Sequence, residues 1–418
     1  MKIAIIGSGI SGLTAAYHLH RRHDVTVFEA GDYVGGHTNT IRFELGGEPW
    51  AVDTGFIVYN ERNYPLFSAL LATLGVESQP TSMSFSVRSD QANLEYNGSS
   101  LNQLFVQRRN LFRPGFHRML RDILRFHREA PAVNGAASDD LSVADYVARE
   151  GYSNQFLEHY LTPLGSALWS SPPGTFQSFP IRFVVEFLAN HSMLQVEGRP
   201  TWRVIRGGSF RYVEKLTAGF RDRILLNTPV RSLERRPGCV RIVDASGAEG
   251  RFDHAILACH SDQALRMVQD PTISEVEILK SFPYQANEAV LHTDPSVLPR
   301  RRNAWASWNY HVRPDVADRA TVTYNMNLLQ GLPWTHVFNV TLNDSAAIDP
   351  KRVIRKILYH HPIFTARRAE AQRRHAELIG ANRTSYCGAY WGYGFHEDGV
   401  RSATAVCEAL NKRQEVAA

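Results

Sequence analysis

The sequence has few of the features that mark disulfide-bonded, metal-binding or membrane-spanning proteins. Its 418 residues include four cysteines, which are Cys239, Cys259, Cys387 and Cys407. They form no CxxC pair and have no histidine partner at zinc-site spacing, so we expect four reduced thiols and no metal. No apolar run is long enough to span a membrane, and the first, residues 3–6, is too short for the core of a signal peptide. We therefore expect a cytoplasmic protein.

The net charge of the chain is also small. Lysine and arginine together number 46 against 41 aspartate and glutamate residues, which gives a formal net charge of +5. That balance suits an anionic ligand or a membrane surface but is too small for a typical nucleic-acid-binding protein. No basic stretch is interleaved with stacking aromatics. We expect a small-molecule or lipid acyl substrate and no nucleic acid, and the sequence leaves the oligomeric state open.

The first forty residues predict a dinucleotide-binding turn. KIAII (residues 2–6) is typical of a buried parallel strand, GSGISG follows at once, and LTAAYHLHRR has helical spacing. In such a turn Gly7 permits the bend, Gly9 lets a pyrophosphate approach the backbone, and Gly12 lets the helix pack on the strand. The unpaired N–H groups of the helix start, near Ser11, would face the phosphates. A purely structural turn is the alternative.

The next strand ends on the residue that such a site requires. DVTVFEA ends at Glu29, 22 residues after Gly7. A carboxylate there can accept hydrogen bonds from both ribose hydroxyls of an adenosine, and it would repel a 2′-phosphate. The spacing therefore favours an adenine dinucleotide without that phosphate.

A second glycine pair, Gly35-Gly36, distinguishes FAD from NAD. With the first motif it resembles the flavin-containing amine oxidase superfamily, which includes monoamine oxidases, protoporphyrinogen oxidase and phytoene-type desaturases. That family has a GG-Arg step along the diphosphate, and here His37 replaces the arginine. Asp53-Thr54-Gly55 resembles the family's D-x-G segment beneath the isoalloxazine. The resemblance implies non-covalent FAD, with Gly36, His37, Thr54 and Gly55 among its contacts.

Three downstream stretches resemble the same family in the expected order. WRVIRGGSFRYVEKL (202–216) is similar to its "GG then helix" element, after which Val230 falls where the family's backbone pairs with adenine. FDHAILACH (252–260) predicts a buried strand that ends at Ala258. Gly388 matches the family's turn at the ribityl-diphosphate, although Ala389 replaces the usual acid.

The chain's last predicted helix has a role in this resemblance. We expect it to run from about Gly399 to Leu410 with Asp398 as its cap. Its N-terminus, and the backbone N–H of Val400 in particular, would then stabilise the charge that develops at the flavin's O2. An ordinary capped amphipathic helix is the alternative.

Length and resemblance together predict the fold. A chain of 418 residues exceeds the usual single domain. We expect an α/β protein with a Rossmann-like FAD-binding domain and an inserted α+β substrate domain. The FAD-binding domain would be discontinuous and comprise residues 1–60, 205–280 and 375–418. The substrate domain would comprise residues 61–204 and 281–374.

The substrate is harder to predict. The window in which true amine oxidases of this superfamily carry a lysine near flavin N5 has no lysine after Lys280. Tyr390, Trp391 and Tyr393 are candidates for an aromatic wall over the flavin, where they would form a cage for an amine or a slot for an acyl chain. Ordinary packing aromatics are the alternative. His396 is a candidate acid or base, or else a structural histidine.

Two further segments favour a lipid. RPGFHRMLRDILRFHRE (113–129) predicts an amphipathic helix with an apolar face that includes Leu124 and an opposite face of arginines. Such a helix can lie on a phospholipid surface, which would make the protein membrane-associated, or it can pack on the core with its arginines in water. TFQSFPIRFVVEFLANHSML (175–194) could line an apolar tunnel or form a buried helix and strand.

The overall pattern, including TGFIVYNERNYP and YWGYGFHEDG, resembles a bacterial subgroup associated with cyclopropane-type fatty-acid methyltransferases. This implies an FAD-dependent desaturase or oxidase of a fatty acyl chain, with or without a methyl branch, hence a role in lipid metabolism. Three alternatives stay open: an amine oxidase acting on a hydrophobic amine, a non-redox flavin-dependent isomerase, and a membrane-bound partner protein that holds FAD structurally. The electron acceptor, oxygen or a quinone, is not specified.

Overall fold

The computed structural model of the protein describes residues 1–134, 141–195, 197–313, 315 and 318–417. Its strands, in chain order, are β1 (Lys2–Ile6), β2 (Asp24–Phe28), β3 (Thr40–Leu45), β4 (Glu48–Asp53), β5 (Val58–Tyr59), β6 (Ser78–Thr81), β7 (Phe85–Ser89), β8 (Leu94–Asn97), β9 (Trp202–Ile205), β10 (Ile224–Leu225), β11 (Val230–Arg236), β12 (Cys239–Asp244), β13 (Glu249–Phe252), β14 (His254–Leu257), β15 (Tyr284–His292), β16 (Trp308–Val312), β17 (Val322–Asn325), β18 (Asn339–Leu342), β19 (Val353–Pro362) and β20 (Thr384–Tyr386).

The α-helices are α1 (Ile10–Leu19), α2 (Pro65–Thr73), α3 (Leu101–Leu104), α4 (Pro114–Glu129), α5 (Val143–Arg149), α6 (Asn154–Phe156), α7 (Thr162–Trp169), α8 (Pro173–Gln177), α9 (Ile181–Asn190), α10 (Phe210–Thr217), α11 (Ser261–Met267), α12 (Ile273–Leu279), α13 (Met326–Gln330), α14 (Ala366–Arg373) and α15 (His396–Ala417). In the part of the chain that the structure describes, no helix combines the length and the apolar character needed to cross a membrane.

A parallel sheet of five strands, in the order β10-β2-β1-β14-β20, forms the first half. The central strands are continuous apolar runs because both faces of the sheet are covered. On one face α1 and α15 pack against Ile3 and Ile5, and on the other Ala4 and Leu257 pack with α11 and α12. The predicted strand of residues 2–6 is confirmed, and that predicted to end at Ala258 ends one residue earlier.

A mostly antiparallel sheet of seven strands forms the second half, in the order β19-β15-β18-β17-β16-β7-β8. Its strands all come from residues 85–97 and 284–362, inside the segments predicted as the substrate domain. The parallel sheet draws its strands from the three other segments. The fold is therefore the predicted two-part α/β architecture, whereas the domain boundaries stay a prediction because β9, near one of them, pairs with both β5 and β6.

The helices of residues 114–190 form an aromatic-rich cluster beside the seven-stranded sheet. Its buried members include Phe126, Phe156, Phe176 and Phe187. The segment 175–194, predicted as a helix and strand or as a tunnel wall, forms the end of α8 and the whole of α9. It contains no strand.

The amphipathic helix predicted at 113–129 is α4, with one exception on its apolar face. Phe116, Met119 and Phe126 are buried, but Leu124 is exposed. Leu124 lies seven residues after His117, two turns along the same side of the helix, and that side faces solvent.

The predicted start of the last helix is wrong by three residues. α15 begins at His396 because the carbonyl of Phe395 already accepts hydrogen bonds from the N–H groups of Asp398 and Gly399. Asp398 is therefore the third residue of the helix, where its carboxylate accepts from Phe395 N at 3.0 Å and pairs with Arg401 at 3.1 Å. The helix also continues beyond Leu410 to Ala417. Val400 is its fifth residue and lies outside the four N-terminal positions whose N–H groups lack helical partners.

Candidate active site

One large cavity lies where the carboxyl ends of the parallel strands face the seven-stranded sheet. Its volume is about 1170 Å³, and residues that directly follow β1, β2 and β14 line it. This edge is the usual ligand site of an open α/β sheet. The volume exceeds the roughly 300–1,000 Å³ typical of a pocket for one drug-sized ligand, so a dinucleotide and a substrate can share it.

The three glycines of the first turn meet different surroundings. A Cβ on Gly7 would lie 2.9 Å from the carbonyl oxygen of Ala258, and one on Gly12 would lie 1.9 Å from that of Gly7. At both positions, backbone atoms occupy the space that a side chain would need. A Cβ on Gly9 would meet nothing within 4 Å, and Gly9 borders the cavity. The fold therefore requires glycine at positions 7 and 12, whereas at position 9 only an occupant of the cavity requires it.

The second glycine pair lies against the first turn. Gly36 has φ +60°, and a Cβ added there would stand 3.1 Å from the Cα of Gly9. The N–H of Gly35 points to Ser8 Oγ at 3.3 Å. The two glycine motifs thus form one backbone surface on the cavity wall, with little side chain between them.

Glu29 is held at the mouth of this turn. Its Oε2 accepts hydrogen bonds from Ser8 N at 2.9 Å and Ser8 Oγ at 2.5 Å, and its Oε1 accepts from Gly31 N at 2.8 Å. A carboxylate has about four acceptor positions. One position therefore remains for a ligand hydroxyl.

The structure brings most of the predicted site residues to this cavity. Those that line it are Gly7, Gly9, Ser11, Glu29, Gly36, His37, Thr54, Gly55, Val230, Ala258, Gly388, Tyr390 and His396. Those outside the lining are Gly12, Trp391, Asp398, Gly399 and Val400. Gly399 instead packs on α1, where a Cβ would come 2.9 Å from Ser11 Oγ, and Val400 is buried in the core between α1 and α15.

In the D-x-G segment, Asp53 is buried and holds the structure together, whereas Thr54 lies on the cavity wall. Asp53 is fully buried and accepts from Ser209 N at 2.9 Å and Thr40 Oγ1 at 2.5 Å, so it ties β4 to the start of α10. Burial raises the pKa of Asp53 to about 6, against the opposing effect of those hydrogen bonds. Thr54 lines the cavity, and its hydroxyl bonds Asn39 O at 2.8 Å and Tyr359 OH at 2.9 Å.

His396, predicted as an acid or base, is held by other side chains. Its Nε2 lies 2.9 Å from Thr38 Oγ1 and 3.1 Å from Tyr212 OH, and its ring stacks on Phe56 with centroids 3.6 Å apart. Burial lowers the pKa of His396 to about 3. The ring is therefore neutral near pH 7, and its catalytic role stays a prediction.

Tyr390 and Trp391 lie on a turn fixed by a buried arginine. Arg368 Nη2 donates to Gly392 O at 2.6 Å and to Tyr390 O at 3.3 Å. Burial lowers the pKa of Arg368 to about 10. Tyr390 faces the cavity, whereas Trp391 stacks on His375 at 4.0 Å outside it. Of the predicted aromatic wall, the structure places Tyr390 and Tyr393 at the cavity.

Four histidines of the cavity wall form a cluster, and sequence analysis singled out only His37. His37 is 5.4 Å from His361 and 6.3 Å from His260 between ring centroids, and His260 is 6.2 Å from His360. Burial lowers the pKa of His260 and of His361 to about 4, and their mutual repulsion adds to the shift for His361. His260 follows a parallel strand at its carboxyl end, a position that could have marked it as a site residue.

A large part of the remaining cavity wall is apolar. It includes side chains from α7, α9, the seven-stranded sheet and the turn before α15, among them Met83, Leu168, Trp169, Phe187, Met193, Trp308, Leu342, Phe364, Tyr393 and Phe395. We call this part the apolar branch. Part of the segment predicted as a tunnel wall, with Phe187 from α9, does line it.

Charge along the cavity is strongly one-sided. Among the lining residues that the structure describes, Glu29 is the one carboxylate, and it is bonded to Ser8 and Gly31. The same residues include three arginines, Arg199, Arg231 and Arg266, and no lysine. Arg199 is exposed and follows the α9 region, with Met193 and Pro200 also in the wall.

Comparison with known proteins gives a consistent result. Residues 10–307 match the profile of the family described as "Flavin containing amine oxidoreductase". A segment of 63 residues is 41% identical to an L-amino-acid oxidase of Pseudechis australis. It makes up 15% of this chain and 12% of that protein, so the chain matches a small share of its relative's length.

Solved structures share the fold over nearly the whole chain. A cyclohexylamine oxidase from Brevibacterium oxydans IH-35A superposes with a TM-score of 0.72 at 18% identity, covering 99% of both chains. A putrescine oxidase bound to putrescine gives 0.68 at 15% identity with 99% of both covered. A fatty acid isomerase from P. acnes gives 0.66 at 15% identity with 98% of both covered. At these identities the similarity shows the fold alone.

Proposed function

The chain belongs to the flavin-containing amine oxidoreductase family, and we propose that it oxidises a C–H bond of a hydrophobic acyl chain. It is an FAD-dependent oxidoreductase. The substrate class that we propose is a fatty acyl chain, such as a methylated chain of a phospholipid. The product would be the desaturated or otherwise oxidised chain.

The residues of the glycine surface fit the cofactor. The open space over Gly9, with Gly36 packed behind it, is a cradle that a Cβ would fill, and Glu29 keeps an acceptor for a ribose hydroxyl. We assign the diphosphate to Gly9 and Ser11, the adenine end to Val230 and the ribityl arm to Gly36 and Gly388. When bound, the flavin supplies a two-electron acceptor for the hydride that the substrate loses.

The observation that carries the substrate assignment is the lack of a free carboxylate among the described residues of the cavity wall. A protonated amine that enters an apolar cavity loses its hydration, and without an anionic partner that loss is costly. The one lining carboxylate of the described residues, Glu29, is at the opposite, nucleotide end. An alkyl or acyl chain, in contrast, gains free energy from every apolar contact in the apolar branch.

The chain's own residues orient the substrate and handle the proton. The aromatic side chains of the apolar branch exclude water and hold the alkyl chain. For desaturation a second C–H bond must lose a proton, and His260 and His361 line the same cavity in neutral form. A neutral imidazole retains a lone pair that can accept it. No lysine lies in the described wall to take this role.

The test is anaerobic reduction of the purified yellow protein. It is incubated separately with fatty acids, with phospholipid extract and with a panel of hydrophobic amines and polyamines, and the oxidised flavin band is followed. We expect bleaching by the acyl substrates and none by the amines. Bleaching by amines alone would overturn the assignment and identify the protein as an amine oxidase.

A second measurement separates the remaining alternatives. Product formation from a fatty acid without oxygen uptake or an added acceptor would identify an isomerase. A flavin that no lipid reduces, and that resists oxidants after photoreduction, would identify a structural cofactor in a partner protein. Acid precipitation tests attachment, because non-covalent FAD leaves a colourless pellet.

A further inference from the structure

The surface around the start of α4 combines exposed apolar side chains with unpaired arginines. Four of the twelve large apolar side chains classed as exposed among the described residues fall within residues 101–124. They are Leu101 (76% exposed), Leu111 (45%), Phe112 (85%) and Leu124 (58%). Side chains this exposed contribute little to the core, and such groupings mark interaction sites.

These apolar residues belong to one connected piece of structure. The 3₁₀ turn of residues 108–112 is tied to α3 by Arg108, which donates to Asn102 and to Phe105 O. It is tied to α4 by His117, whose Nε2 lies 2.8 Å from Leu111 O. Phe105 packs against Phe116 beneath the turn, with ring centroids 5.6 Å apart. The turn therefore presents Leu111 and Phe112 outward from a braced base.

The charge of this surface is all of one sign. Residues 96–121 contain five arginines, Arg108, Arg109, Arg113, Arg118 and Arg121, and no aspartate or glutamate. None of the five forms an ion pair with a residue that the structure describes. Beyond this segment, arginines of the same helix do pair, as Arg125 and Arg128 do with Glu129. Arg108, Arg109 and Arg113 donate to neutral carbonyl or amide oxygens, which leaves their charge uncompensated. The contrast indicates that the positive charge of this surface is available to anions.

We propose that this surface, residues 101–124, docks the protein on an anionic phospholipid bilayer. Phe112, Leu101 and Leu111 would enter the interface between headgroups and acyl chains, and the arginines would pair with lipid phosphates. Aromatic and leucine side chains beside basic residues are the composition of interfacial segments. Arg118, Arg121 and Leu124 share the solvent face of α4, which extends the surface along the helix. The proposal stands on this surface and does not depend on the substrate assigned to the cavity.

The experiment is co-sedimentation of the holoprotein with vesicles. One set contains phosphatidylcholine alone, and the other contains phosphatidylcholine with phosphatidylglycerol. We expect binding to the anionic vesicles, weaker binding to the neutral ones, and loss of binding as salt rises. R118Q/R121Q should bind about thirtyfold more weakly. F112S should bind about tenfold more weakly.

Two matched variants control for general effects. R21Q/R22Q removes the same number of exposed positive charges near the end of α1, and I273S removes an apolar side chain of similar exposure, 79%, on α12. Both should bind like the unmodified protein. Failure of the unmodified protein to sediment with anionic vesicles overturns the proposal. So does equal weakening of R118Q/R121Q and R21Q/R22Q, which would show attraction by net charge alone.

Discussion

The Cα of Gly9 lies directly beneath Gly36, because a Cβ added to Gly36 would stand only 3.1 Å from it. The two residues are far apart in the sequence, at positions 9 and 36, and belong to different glycine motifs. Their contact explains why one site needs both. The first motif bends the chain after β1, and the second brings another stretch of bare backbone against it, so that a long anionic ligand can lie along both.

Substitution of Gly9 by valine should abolish FAD binding and leave the fold intact. The Cβ of the new side chain would meet no protein atom within 4 Å, and the side chain would project into the space that we assign to the diphosphate. The measurement is flavin content by absorbance, beside circular dichroism and the midpoint of urea unfolding for the two apoproteins. Gly174, whose Cβ would also meet nothing, is the control as G174V. A yellow G9V protein would show that the diphosphate lies elsewhere.

The sequence predicts the parts of this site that are local in the chain. The strand, glycine turn and helix of residues 2–19 follow from apolar runs and glycine positions, and each appears where the pattern indicates. The sequence does not predict the histidine cluster. His361 joins the cluster because its strand β19 pairs with β15, with Tyr284 opposite Pro362, and the ring of His260 stacks on Tyr284. No local spacing encodes that pairing.

Two local predictions fail because a neighbouring contact overrides the pattern. Asp398 has the character of a cap, but the carbonyl of Phe395 already accepts the first helical hydrogen bonds, so α15 begins at His396. Leu124 has the periodicity of the buried face of α4, but its place on the helix turns it to solvent. Helical spacing alone does not decide how wide the buried face is.

Unfolding experiments at different pH should detect the titration of the Asp53 carboxyl group through the free energy of unfolding. Its pKa is raised from 3.8 to about 6 by burial, so the folded protein binds more protons than the unfolded chain between these values. The free energy of unfolding contributed by this group therefore falls as pH rises through that window, by on the order of 3 kcal/mol. D53N has no proton to lose there and should lack this contribution to the slope.

The comparison uses slopes rather than absolute stability, because D53N also weakens the bonds to Ser209 and Thr40. Urea unfolding at about pH 4 and about pH 7 gives the difference for each protein. D222N, which changes an exposed aspartate, is the control and should keep the slope of the unmodified protein. Equal slopes for D53N and the unmodified protein would contradict the raised pKa.

His396 can be tested by the pH dependence of flavin reduction. Its pKa of about 3 and its bonds to Thr38 and Tyr212 indicate that it does not titrate near neutral pH. H396Q should therefore keep the limbs of the pH profile and lower the free energy of unfolding by about 1 kcal/mol, the effect of one lost hydrogen bond within the protein. Loss of a limb in H396Q, but not in the control H20Q, would establish His396 as the acid or base.

Arg199 is a cation of the cavity wall that has no assigned cofactor contact, and it follows Met193 of the apolar branch by six residues. If the substrate is an acyl chain with an anionic end, its carboxylate or phosphate should pair with this exposed guanidinium at the cavity wall. An exposed ion pair contributes roughly 0.2–1 kcal/mol, so R199Q should weaken binding of a fatty acid by at most about fivefold. The methyl ester, which has no charge, should bind both proteins equally.

The dissociation constants for the R199Q test come from perturbation of the flavin spectrum by oleate and by methyl oleate. R355Q removes an exposed arginine of β19 and should change neither constant. Because the ester fills the apolar branch as the acid does, the ratio of the two constants isolates the charge. A ratio unchanged by R199Q would place the polar end of the substrate away from Arg199, and equal weakening of both ligands would indicate a packing role for its side chain.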